Sequence, residues 1–446
     1  MSRRAVVCGA SISGLLAARA LADTFDSVTV VERDALPEGV GQRPGAPQGN
    51  HLHQLLSSGL RVLEEFFPGL ATELLRKGAP ALDTRDLSQA YLEIGGHALL
   101  RDGSLADPDA LNIVLASRPL LESVVRDRVR ALANVDVVDG HDAIGPVLRG
   151  GAVAALRVSD RATGRERELP ADVIVDAGGR GGRTPAWLAD NGFRRPDEHT
   201  YRVQLTYATQ LFRVSADMHE KVAIISPSLH RPTGAGLIAY EADTVIFTLI
   251  GVAGHQLPTD RAGILAGADH HLPAHLGAML RAAEPIGSVQ HRRYPSSVWR
   301  RYDKLAALPH GLLVIGDAVC SLNPVYGQGM TSAALQARVL HKTVAETGAE
   351  EVGRAYFRAA AKRIAPLWQG NRLNDFAVTP VDGWARWPQR VFNAYTTRFM
   401  AVASFDRVLT ETFLRVLQGV DSGPALVTPG RVARVAAGTR RGARRC

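Results

Sequence analysis

An apolar run, Ala5-Val6-Val7-Cys8, leads directly into Gly9-Ala10-Ser11-Ile12-Ser13-Gly14. An alanine- and leucine-rich stretch from Leu15 to Ala22 follows, then Ser27-Val28-Thr29-Val30-Val31 and the acid Glu32. Strand, glycine turn, helix, strand and terminal acid, in that order, is the arrangement a βαβ dinucleotide unit demands. Gly9 permits the tight turn and Gly14 lets the helix pack closely on the strand. The helix N-terminus then offers unpaired N–H groups to a pyrophosphate. Glu32 follows Gly14 by 18 residues, where its carboxylate can accept hydrogen bonds from both ribose hydroxyls. A carboxylate there disfavours a 2′-phosphate, which leaves FAD or NAD and sets NADP aside. Ser11 replaces the middle glycine; it is small enough for phosphate approach and is expected to add a hydroxyl donor. Gly9, Ser11, Ile12, Ser13, Gly14, Glu32 and Arg33 are the candidate cofactor contacts of this turn.

Two later motifs choose flavin. Gly311-Leu312-Leu313-Val314-Ile315-Gly316-Asp317-Ala318 is a buried strand ending in Gly-Asp. It runs through Asn323-Pro324-Val325-Tyr326-Gly327-Gln328-Gly329-Met330 into a helix from about Thr331. Asp317 can accept a hydrogen bond from a ribityl hydroxyl, and the Gly327/Gly329 turn allows backbone to approach a flat ring. The helix N-terminus places partial positive charge beside the N1–C2=O edge of a reduced flavin. The third element, Ala171 to Arg183, is a strand ending in Asp176 and a glycine-rich turn that brings the chain back over the cofactor.

Composition sets broad limits. The 446 residues allow two or three packed units, and 46% hydrophobic with 22% charged residues is ordinary for a soluble globular protein. No apolar run reaches the ~18 residues of a membrane span, and no cleavable leader is expected at the N-terminus. Cysteine occurs three times, without a Cys-x-x-Cys pair, which fits a reducing compartment and argues against disulfides and zinc. A cytoplasmic protein is expected. The net charge of +8 comes from dispersed arginines and a terminal cluster (Arg431, Arg434, Arg440, Arg441, Arg444, Arg445). A frayed basic tail is favoured over a nucleic-acid contact.

These motifs resemble those of FAD-dependent monooxygenases of the para-hydroxybenzoate hydroxylase fold. Within them the chain is most similar to the bacterial polyether-type flavin epoxidases, with squalene epoxidases as distant relatives. The resemblance rests also on Arg43 to His53, on Ala116-Ser117-Arg118-Pro119-Leu120-Leu121-Glu122, and on Arg183 to Leu188, and it spans residues 5 to about 345. It implies that Arg43 and Arg118 help hold FAD and that Pro324 and Gly327, Gln328, Gly329 and Met330 line the isoalloxazine. Gly179 and Gly182 stand where that branch often carries Thr or Ser, so the side-chain hydrogen bonds of the Asp176 turn are in question. The implied reaction uses dioxygen and a C4a-hydroperoxyflavin to epoxidise an alkene of a lipophilic polyketide or terpenoid, as in antibiotic biosynthesis.

The expected fold is α/β: a glutathione-reductase-type Rossmann FAD domain, an inserted mixed β-sheet substrate domain and a C-terminal helical region. The FAD domain is expected at 1–85, 107–195 and 285–345, the substrate sheet at 86–106 and 196–284, and helices with a basic tail at 346–446. Trp384, Trp387, Val391, Tyr395, Phe399 and Val402 recur at helical spacing and predict a stripe packed on the FAD domain, in preference to a membrane-surface helix. Tyr207, Phe247, Pro324 and Tyr326 are the candidate substrate contacts, and a small lipophilic substrate is expected. His53 is the weak catalytic candidate. His51 and His53 lack a third ligand, so no metal site is expected. With one dinucleotide fingerprint, electrons must come from transiently docked NAD(P)H or from a separate flavin reductase. The alternatives are an aromatic hydroxylase, a flavin-dependent prenyl-chain reductase or halogenase, and a non-catalytic FAD-binding scaffold. Halogenation would call on Lys77, but the Trp-x-Trp-x-Ile-Pro signature of such enzymes is absent. No base that could ionise a phenol is evident, which favours epoxidation.

Overall fold

Five short apolar runs, Arg4–Cys8, Ser27–Val31, Val135–Val138, Val173–Asp176 and Leu312–Val314, form one parallel sheet. Its order is Leu312–Val314, Val173–Asp176, Arg4–Cys8, Ser27–Val31, Val135–Val138. Strands buried on both faces read as continuous apolar runs, which is why these were legible. The helices Ile12–Ala22 and Gly329–Glu346 pack together on this sheet. A three-stranded antiparallel sheet, His141–Arg149, Ala152–Asp160 and Glu166–Pro170, joins the same core through Val153, Leu156 and Val158. The carboxyl ends of the parallel strands bring Gly9, Glu32, Asp176 and Ile315 to one rim, where open α/β sheets bind ligands. The computed structural model describes residues 3–214, 218–228, 230–348, 351–378 and 386–442.

The second sheet is mixed and has eight strands. In order they are Cys320–Ser321, Glu284–Arg300, Glu198–Arg213, Thr244–Gly251, Thr233–Tyr240, Val222–Ile225, Ala90–Ile94 and His97–Ala98. All neighbours are antiparallel except Val222–Ile225 with Ala90–Ile94. One face is covered by the helices Arg261–His271 and Ala274–Ala282, which meet Phe212, Leu237, Phe247 and Leu249. The other face looks towards the parallel sheet.

Three expectations need correction. Residues 285–300 were placed with the FAD domain, yet Glu284–Arg300 pairs along nearly its whole length with Glu198–Arg213 and belongs to the eight-stranded sheet. Its half-exposed, charged sequence (His291, Arg292, Arg293) carries little apolar signal, so only the pairing reveals it. Second, the helix Arg386–Ala403 does not lie on the parallel sheet. Phe399, Met400, Val402 and Ala403 pack against Leu99 at the far edge of the mixed sheet and against Leu409 and Val435. Val391 is 50% exposed and off the buried face; Trp384 and the side chain of Trp387 lie outside the described residues. Third, the tail as far as Gly442 is not frayed: Pro429–Gly442 is a helix, Val435 is buried, and Gly438 sits tightly against Val402, whereas Arg444 and Arg445 lie outside the described residues. Arg431 donates to Thr412 at 2.8 Å and Arg434 pairs with Asp406 at 2.9 Å. Deleting residues 436–446 is therefore expected to destabilise the C-terminal helices by about 1–2 kcal/mol, read as a lower thermal midpoint. An unchanged midpoint would show that this contact contributes nothing.

Among the described residues no helix is long and apolar enough to cross a membrane.

Candidate functional site

The rim of the parallel sheet opens into a continuous cavity of about 1270 Å³ that extends beneath the mixed sheet to the C-terminal helices. A pocket for one small ligand is typically ~300–1,000 Å³, so this one has room for two. At one end stand Gly9, Ser11, Ile12, Ser13, Glu32 and Arg33; in the middle, Arg118, Asp317 and the run Pro324 to Met330. At the far end the wall turns apolar, with Leu92, Ile94, Met400, Phe413 and Leu426.

Gly9 has φ +105°, a left-handed value that favours glycine, and its N–H donates to the Val31 carbonyl at 2.7 Å. A Cβ on Gly14 would fall far inside van der Waals contact of the Gly9 carbonyl oxygen, so helix and strand touch backbone to backbone here. The helix Ile12–Ala22 has no side-chain cap on Ser11, which leaves its first N–H groups facing the cavity. Glu32 is buried and accepts from Ala10 N–H at 2.7 Å and Asp34 N–H at 3.0 Å. Its carboxylate thus shapes the turn, with lone pairs left for a ribose.

Ser11 departs from expectation. Its hydroxyl donates to Glu122 at 2.9 Å and accepts from the Arg118 guanidinium at 2.7 Å, so its proton is committed to a carboxylate and not to a phosphate. Glu122, quoted in a motif but not singled out, is the hub of a buried network. It pairs with Arg43 at 2.7 Å and Arg118 at 3.3 Å, while Arg43 also meets Glu32 at 3.2 Å and Asp34 at 3.1 Å. The two guanidiniums hold the Glu122 carboxyl below its usual range against the opposing effect of burial. Arg43 keeps one buried nitrogen, Nη2, with no partner, and Arg118 lines the cavity.

Asp176 and Asp317 divide the remaining acid work. Asp176 accepts from Gly178 N–H at 2.8 Å and from the Thr184 N–H and hydroxyl at 3.1 and 2.6 Å. Thr184 thus supplies the hydroxyl that Gly179 and Gly182 cannot, and the acid closes its own turn. Asp317 makes no hydrogen bond to any described residue, and its surface is open to the cavity. The protein packed around it nonetheless raises its pKa, with Arg118, Arg180 and Arg292 opposing. Gly327, φ +64°, ends the Pro324–Tyr326 turn, and the helix Gly329–Glu346 begins beyond it without a side-chain cap. An open acid, two uncapped helix N-termini and a left-handed glycine all face one cavity, which fits a dinucleotide carrying a flat ring.

His51 and His53 fasten the loop to the mixed sheet. His51 Nδ1 meets Thr209 Oγ1 at 2.8 Å, and Thr209 meets Thr248 at 2.9 Å. His53 Nδ1 lies 2.7 Å from the His51 carbonyl, so that nitrogen carries the proton and Nε2 is the acceptor. Burial lowers His51 to about 4 and His53 to about 3, aided by nearby Arg292 and, for His53, Arg118. Both rings are neutral at pH 7. An unfolded histidine titrates near 6.5, so the unfolded chain binds the extra proton below that value. The His51 contribution is therefore complete above pH ~6.5 and lost as pH falls to about 4, in all about 3 kcal/mol. Denaturant midpoints should fall over that window, and less steeply in His51→Gln; an equal slope would place the acid sensitivity elsewhere. Among the described residues no group of three or more His, Cys, Asp or Glu is placed to hold a metal.

Of the four substrate candidates, Tyr207, Pro324 and Tyr326 line the cavity and Phe247 does not. Phe247 is 0% exposed and faces the helices on the opposite side of the sheet, while its neighbours Thr248 and Ile250 face the cavity. Alternation along the strand decides this, and the side chosen depends on register. Lys77 is exposed and away from the cavity.

Among the lining residues that the sequence reading did not single out are Arg292 and Asp375. Asp375 is 8% exposed and accepts from Asn323 Nδ2 at 2.7 Å and the Tyr326 hydroxyl at 2.8 Å; burial raises its pKa. It is the one acid in the helix Val352–Val378, which was the available signal.

The parallel sheet, mixed sheet and helical annex together define the fold of flavin-dependent monooxygenases and halogenases of the para-hydroxybenzoate hydroxylase type. The p-nitrophenol 4-monooxygenase PnpA from Pseudomonas putida DLL-E4 superposes with TM-score 0.68 at 15% identity, over 95% of this chain and 99% of that one. The flavin-dependent brominase Bmp2 superposes with TM-score 0.66 at 15% identity, over 99% of both. A flavoprotein/dehydrogenase from Cytophaga hutchinsonii gives 0.69 at 14% identity, over 98% and 99%. No family model matches the sequence. Protein Rv3254 of Mycobacterium tuberculosis (strain ATCC 25618 / H37Rv) is 37% identical over 433 residues, 94% of this chain and 90% of that protein. The chain belongs to the same family as Protein Rv3254.

Proposed function

We propose that this chain is an FAD-dependent monooxygenase that inserts one atom of dioxygen into a lipophilic substrate. The observation that carries the reading is one continuous cavity, with an uncapped helix N-terminus at one end, an open acid and a second uncapped N-terminus in the middle, and an apolar wall at the far end. The N–H groups beginning the helix Ile12–Ala22 would hold the pyrophosphate, Glu32 the adenosine ribose, Asp317 the ribityl chain, and Gly327 to Met330 the ring. Arg43 and Arg118 would balance the phosphate charge from the network around Glu122. Bound FAD supplies the oxygen-activating chemistry. The protein would contribute position and dryness: Tyr207 and Ile250 line the cavity beside the turn that holds Val325, and the mixed sheet covers it on one side.

Alkene epoxidation of a polyketide or terpenoid remains the reading favoured by the family resemblance. Hydroxylation of an arene is the second reading, and Asp375 in the cavity wall is the observation that favours it. NAD(P)H or a separate flavin reductase would supply electrons, and a cytoplasmic location is part of the proposal.

Purified protein should be yellow and release FAD on denaturation. With NAD(P)H, or with a flavin reductase, under ¹⁸O₂, a product from a panel of polyenes and phenols should carry one labelled oxygen. A protein that cannot be loaded with FAD, or a product oxygen derived from water, would refute the assignment; a merely reduced product would make it a reductase.

A further inference from the structure

The hydrogen bonds around Asp375 have a fixed direction. Asn323 Oδ1 accepts from the Val325 N–H at 3.0 Å, which turns Asn323 Nδ2 onto Asp375 Oδ1. The Tyr326 hydroxyl meets the same oxygen. That oxygen takes two donors and cannot donate in return, so the Tyr326 proton points at the carboxyl group. If burial leaves Asp375 protonated, the proton belongs on Oδ2, which is buried near the Tyr201 side chain and takes neither of these two donors. In either state the Tyr326 oxygen has only acceptor capacity left. Tyr326 is half-buried, lines the cavity, and directly precedes the left-handed Gly327 of the proposed ring cradle. His53, in the same wall, presents an acceptor nitrogen too.

We propose that Asp375 sets Tyr326 as a fixed hydrogen-bond acceptor, so that the chamber selects a lipophilic molecule carrying a hydroxyl donor, an alcohol or a phenol. This rests on reading the cavity as the substrate chamber. Tyr326 touches the substrate, and Asp375 is a positioning residue acting through it. A ligand whose hydroxyl is capped leaves the Tyr326 oxygen facing an ether or methyl group and loses one hydrogen bond.

The test compares 2-naphthol with 2-methoxynaphthalene by calorimetry on FAD-loaded protein, which needs no turnover. Wild type should bind the naphthol about 3- to 10-fold more tightly, the worth of one such bond. Tyr326→Phe should bind the pair equally. Asp375→Leu frees the Tyr326 proton to face the cavity and should abolish or reverse the preference. Asp375→Asn keeps an acceptor oxygen and should restore it. Equal affinities in wild type, no binding of either probe, or a preference that survives Tyr326→Phe would overturn the proposal. Flavin content, measured on the same samples, reports separately on the monooxygenase reading.

Discussion

Gly14→Val is expected to give colourless protein, with affinity for FAD reduced by more than about 100-fold. The added Cβ would collide with the Gly9 carbonyl oxygen, a backbone atom that cannot rotate away, and would press on Ala177 Cβ at 3.4 Å. Relief requires the helix Ile12–Ala22 to slide off the strand Arg4–Cys8, which carries its free N–H groups away from the pyrophosphate position. Gly39→Val is the control, because nothing lies within 4 Å of a Cβ there. Flavin absorbance gives cofactor content, and far-UV circular dichroism separates loss of FAD from loss of fold. A folded Gly14→Val protein with full flavin content would remove this turn from the cofactor site. Glu32→Ala should be milder in affinity but should also loosen the turn, since Ala10 N–H loses its acceptor.

Glu122→Leu is expected to cost about 3–5 kcal/mol of stability in the FAD-free protein, the usual penalty for stripping a buried ion pair of one partner. Arg43 would keep Glu32 and Asp34, whereas Arg118, 8% exposed, would keep one hydrogen bond, to the Ser11 hydroxyl, and the more distant charge of Asp317. The cost therefore falls mainly on Arg118. If Arg118 faces a phosphate when FAD is bound, added FAD should recover more stability in the variant than in wild type, beyond ordinary linkage to a ligand. Denaturant unfolding with and without FAD measures both terms. A loss below about 1 kcal/mol would show that water or a rearranged Glu32 satisfies Arg118; an equal gain from FAD in both proteins would show that Arg118 does not serve the phosphate.

Legibility in the sequence followed burial. The strands Arg4–Cys8, Val173–Asp176 and Leu312–Val314 are covered on both faces, so their composition alone announces them, and the glycines and acids at their ends mark the rim. Glu284–Arg300 is half-exposed and was missed as part of the mixed sheet, because its partner lies some 90 residues earlier in the chain. Phe247 failed for a related reason: composition shows that a strand is apolar, but the face a given side chain occupies is set by register with its neighbours. The basic tail looked unstructured because arginine masks a narrow buried edge, Val435 and Gly438, that has meaning only against Val402.

The sequence by itself determined the glycine turn from Gly9 to Gly14, the strand-end acids Glu32 and Asp317, the turn from Gly327 to Met330, and the α/β class. These are local instructions: backbone freedom, helix polarity and terminal carboxylates act over a few residues and need no distant partner. Only the tertiary structure decided that Ser11 gives its proton to Glu122, that Arg43 and Arg118 share one carboxylate, and that Asp375 reaches Tyr326 across 49 residues of chain. A hydrogen bond has a donor and an acceptor, and when the two lie far apart in sequence neither residue type reveals which partner it will serve. The chemistry a side chain can perform is written in its type, whereas the chemistry left to it after its neighbours are satisfied is fixed by the fold.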